Sequence, residues 1–99
     1  MSYFVLCTFD LFNATSEDYE SAYAELEKLG LHTVLEASSG ATVDLPNTTA
    51  AGLFTGDKSS SIADDVLRLI KKRFSAQGLK YKVFISVADG YAWRHSKNK

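Results

Sequence analysis

The chain has 99 residues, enough for one domain around one core, and its 45% hydrophobic content is ordinary for a folded protein. No apolar run approaches the roughly 20 residues of a membrane-spanning helix, and the opening MSYFVLCTFD enters strand-like sequence without the basic leader of a secretory signal. The net charge of −1 hides a division: residues 1–50 hold eight acids and one base, residues 51–99 ten bases and four acids. Such segregation serves a polyanionic ligand, self-association of opposite faces, or two helices with differently solvated surfaces. Cys7 is the single cysteine, so no internal disulfide exists; in mid-strand it reads as a small buried hydrophobe, and a cytoplasmic protein is expected.

YFVLCTFDL (3–11) is β-prone and apolar on both faces, which suits a central strand. TSEDYESAYAELEKLG then reads as a helix. Thr15 or Ser16 can cap it, Glu17, Asp18 and Glu20 favour its positive end, Tyr19, Ala22, Tyr23, Leu26 and Leu29 form one stripe, and Gly30 stops it. LHTVLEAS (31–38) predicts a second strand and TTAAGLFTG (48–56) a third, paired as a hairpin across the long polar connection SSGATVDLPNT. A second helix is expected near 60–77, with Ser60 or Ser61 as cap, an apolar stripe from Ile62 to Phe74, Asp64 and Asp65 near its start, Lys71, Lys72 and Arg73 near its end, and Gly78 as terminator. KYKVFISVAD (80–89) predicts the last strand. The preceding TGDKSSS can receive an anion at a helix N-terminus or simply cap the helix.

The order β-α-β-β-α-β specifies an α+β, ferredoxin-like split βαβ fold: a four-stranded antiparallel sheet with both helices on one face. The expectation places the first and last strands at the sheet centre. One such domain covers 1–95, and 96–99 reads as a flexible tail. The opposite sheet face is then uncovered. Alternation divides the first strand into Tyr3, Val5, Cys7, Phe9 and Leu11, suited to the helix core, and Phe4, Leu6, Thr8 and Asp10, which would be open with Phe84, Ser86 and Phe54. Exposed aromatics on such a face stack bases or, more often, meet a second copy. Phe4, Leu6 and Phe84, with Trp93, are the predicted homodimer contacts.

Asp10 ends an apolar strand, where a carboxylate needs a partner. An aspartate there commonly bonds the amides of the following loop. Phe9-Asp10-Leu11, the tyrosine-striped helix with its Gly30-Leu31 exit and the apolar final strand together resemble the CRISPR-associated endoribonuclease 2 family, and the VapD and GhoS ribonucleases of like fold. That resemblance implies two Asp10 carboxylates across a dimer axis, holding Mg²⁺ that neutralises a scissile phosphate and generates the attacking hydroxide. It makes Asp10 both catalytic residue and metal ligand.

Arg68, Lys71, Lys72, Arg73, Lys82 and Arg94 form the predicted phosphate grip for RNA. Tyr91 and Trp93 could stack a base or pack on a partner subunit. The rival is a non-catalytic module that binds a protein partner through its aromatic face. His32 and His95, the only histidines, are not spaced for zinc.

Overall fold

The computed structural model describes residues 1–98. In chain order the elements are β1 (Ser2–Leu11), α1 (Ser16–Lys28), β2 (Val34–Glu36), β3 (Thr42–Asp44), β4 (Thr49–Thr55), α2 (Ser59–Ala76) and β5 (Tyr81–Ala88). The class is α+β, with two helices and antiparallel strands. β1 is the centre of a three-stranded sheet ordered β4-β1-β5, while β2 and β3 form a separate two-stranded ribbon.

Two expectations about the sheet need correction. The four strands do not share one sheet. After α1 the chain touches β4 through a single bridge, in which His32 and Ala51 exchange backbone bonds of 2.8 and 2.9 Å. It then leaves, and Val34–Glu36 pair with Thr42–Asp44, inside the segment expected to be an irregular connection. The turn between them closes locally: the amide of Gly40 bonds the carbonyl of Ala37, that of Ala37 bonds the carbonyl of Ala41, and Gly40 supplies φ +89°. A short closure costs less chain entropy than the long loop of the expected hairpin, so the local ribbon wins. The last strand, moreover, is an edge. β4 and β5 flank β1 on its two sides, and only β1 is central.

Alternation along β1 assigns its faces as its residue types suggest. Tyr3, Val5, Cys7, Phe9 and Leu11 are all buried. Against them pack Ala22 and Leu26 of α1, and Ile62, Val66, Ile70 and Phe74 of α2. Edge-to-face rings fill the middle: Phe9 meets Tyr23 at 5.6 Å and Phe74 at 5.8 Å, and Phe74 meets Tyr81 at 5.3 Å. β5 contributes Tyr81, Val83, Ile85 and Val87 to the same side.

The helix ends differ in their chemistry. Thr15 caps α1 in a reciprocal box, its hydroxyl accepting from the Asp18 amide and the Asp18 carboxylate accepting from the Thr15 amide. Gly30, at φ +92°, lets the chain turn back toward β4. α2 has no side-chain cap. Its N-cap is Lys58, and Ser60 and Ser61 lie within the first turn, so neither can act as the expected cap. Ile62 packs on Gly56 and sets this earlier phase.

One layer of helices on one sheet gives a slab of 40 × 37 × 18 Å. The tightest joint is where the turn after α1 crosses β4, since a β-carbon on Gly52 would collide with the carbonyl oxygen of Gly30. Gly52→Ala is expected to lower stability by about 3 kcal/mol, since backbone cannot yield as a side chain does. Thermal unfolding would register this as a fall of well over 10 °C. Gly90→Ala, with open space around the added methyl, should leave the midpoint in place.

Candidate interaction face

The side of the sheet away from the helices carries Phe4, Leu6, Thr8 and Asp10 of β1, with Phe84, Ser86 and Lys82 of β5 directly or diagonally opposite. Phe84 is 68% exposed and Leu6 36%. Phe54 is not part of this face. Its register partner is Tyr3, so its ring turns to the helix side and packs on the core. Leu53, opposite Phe4 and 60% exposed, takes the place expected for it. Leu53 and Phe54 are adjacent, so one had to face outward; only the pairing with β1 decides which.

The face is not bare. After β5 the chain doubles back as an irregular segment, and Tyr91 stacks on Phe4 with ring centroids 4.8 Å apart and planes 21° from parallel. Trp93 is half-buried beyond it. Residues 92–97 form one wall of a groove of about 770 Å³; Phe4, Leu6 and Ala51 form its floor, and Leu35, Val43 and Pro46 line the ribbon side. Trp93 lies in irregular chain and not in an added strand, and it lines this groove with Phe4 and Leu6.

Asp10 is exposed, and the loop-amide bonds that would explain it are not made. Its register partner is Lys82, exposed on the same face. On the open side of an antiparallel pair the carboxylate stays in water and bears no cost of burial. Among the described residues no three His, Cys, Asp or Glu side chains converge. The arrangement that the resemblance implies, two Asp10 carboxylates on one Mg²⁺, takes two copies of the chain.

The predicted basic grip falls into separate places. Lys71 and Lys72 are exposed on the outer side of α2, as is Arg68, which lies 3.9 Å from Asp65. Lys82 is on the opposite face of the slab, and Arg94, whose guanidinium donates to the Trp93 carbonyl, lies in the segment beyond β5. Arg73, partly exposed, is committed to an ion pair within the chain. It donates to Glu25 at 3.1 Å, and Lys28 donates to the other oxygen of the same carboxylate at 3.1 Å. Glu25 is the one charged residue of the described chain in the buried class, and this three-way pairing joins α1 to α2. His32 and Glu27 form a second, exposed pair.

No protein-family model matches the chain, and no curated protein does.

The hydrogen bonds from Lys28 and Arg73 hold the Glu25 carboxyl below its ordinary value, against a smaller opposing effect of desolvation. A carboxylate whose pKa is depressed by folding contributes stability above its unfolded pKa, and that contribution is lost as pH falls through the folded one. Glu25→Gln should therefore be less stable than the parent at neutral pH and show a shallower loss on acidification. Denaturant midpoints measured from neutrality down through the carboxylate range check this.

Proposed function

We propose that the chain is a self-associating module of the ferredoxin-like kind, whose fourth strand is displaced into the ribbon, and that a second copy covers what the chain leaves exposed of the open face, Phe84 on β5 and Leu53 on β4. The observation that carries this reading is the protrusion of Phe84 and Leu53 from the side of the sheet with no helix. A lone exposed leucine is ordinary; several large apolar side chains on one flat face signal an interface. In sedimentation equilibrium the chain should be a dimer at micromolar concentration. Phe84→Asp, at a fully accessible site, should fold unchanged and sediment as a monomer. A monomeric parent chain would end this reading.

Asp10 favours a second reading, action on RNA, because it shares that accessible face with Lys82. In this reading the ammonium holds a phosphate and the carboxylate beside it accepts a proton from the attacking hydroxyl. Arg68, Lys71 and Lys72 act as a distant electrostatic attraction. A Mg²⁺ ion between two copies would be held by their Asp10 carboxylates and would neutralise charge on the phosphate. Incubated with single-stranded RNA, the protein should cleave it, and Asp10→Ala should reduce the rate at least a hundredfold. Running both with and without Mg²⁺ separates a proton-transfer role from a metal-dependent one. Undiminished cleavage by the variant removes Asp10 from the chemistry.

A further inference from the structure

The groove between the open face, the ribbon and the segment after β5 has the character of a ligand site. Three independent pieces of chain build it, and its volume of about 770 Å³ is within the range of small-molecule pockets. Its floor and one side are apolar. The charged residues of its lining are Arg94 and Lys97 against a single acid, Asp44, with His95 among them. An apolar trough closed by a net positive strap matches a molecule with a hydrocarbon body and one anionic end.

We infer that this groove binds a free amphiphilic monoanion, an acyl carboxylate of medium chain length. Its hydrocarbon lies along Leu6, Leu35 and Val43, and its carboxylate meets the Arg94 guanidinium. A dianion would be disfavoured by Asp44, and a cationic amphiphile would leave Arg94 and Lys97 unanswered. An uncharged chain would gain only the apolar part. The site is separate from the proposed dimer contact, because Phe84 stands on β5, outside the groove lining.

Trp93 is the chain's only tryptophan and lines the groove, so its emission reports directly on occupancy. Octanoate, decanoate and dodecanoate, each below its micellar concentration, are titrated into the full-length protein, followed by Trp93 fluorescence and by calorimetry. Saturable one-site binding is expected, tightening about tenfold for each two methylenes added. Dodecyltrimethylammonium should bind at least tenfold more weakly than dodecanoate. Arg94→Glu, a surface change, should weaken dodecanoate about tenfold or more and narrow the gap between the two amphiphiles. Leu35→Asp should abolish binding, while Phe84→Asp should retain it, which keeps this test apart from that of the dimer. Absence of heat and of any emission change overturns the inference. So does equal binding of the cationic amphiphile, indifference to chain length or to Arg94→Glu, or a response confined to anionic phospholipid vesicles.

Discussion

Both helices have to bury the same row of β1, and the rest of the architecture follows from that. Tyr3, Val5, Cys7, Phe9 and Leu11 point one way because successive strand residues alternate, and two amphipathic helices have no other apolar surface of that size to cover. Placing both on one side makes a two-layer slab and obliges the other side of the sheet to find its own cover. The chain supplies part of that cover itself, by returning after β5 to lay Tyr91 on Phe4. What is left exposed stands toward both edges, Phe84 on β5 and Leu53 on β4.

The uneven charge along the sequence has a partly internal explanation. The acidic helix and the basic helix lie side by side, and Arg73 reaches from one to the single buried carboxylate of the other. Asp10 and Lys82, again from opposite halves of the chain, are register partners. Acidic Asp44 and basic Arg94 line the same groove. A strip of cations counted along the sequence is therefore not a strip in space. Its members divide between the outer side of α2, the open sheet face, the segment after β5 and an internal ion pair.

Much of this was legible in residue types alone, where a local signal decides. The cap at Thr15 or Ser16, the Gly30 stop, the helical stripes and the parity of β1 depend on neighbours within one turn or one strand; the structure takes Thr15 as the cap and narrows the α2 stripe, leaving Leu67 exposed. The failures are those of pairing. Whether Leu53 or Phe54 faces out depends on a strand some fifty residues away. The fate of Val34–Glu36 was a competition between a close turn at Ala37–Gly40 and a distant strand, which no alternation pattern ranks. Ser60 and Ser61 misled because good capping residues stood one and two positions past the start that Ile62 imposes. Asp10 misled for a related reason: it is flanked by apolar residues in sequence, yet its own side of the strand faces outward.

The ribbon's attachment has a consequence for how the molecule breathes. β1 has hydrogen-bonded neighbours along both edges, β5 along one, and among the described residues the segment leading into the ribbon pairs with the main sheet only at the His32–Ala51 bridge. Opening free energies follow such support, so amide protons should be slowest to exchange in β1 and fastest in Val34–Asp44. One wall of the trough is thus built from the least supported strands of the molecule, and its floor from the best supported one.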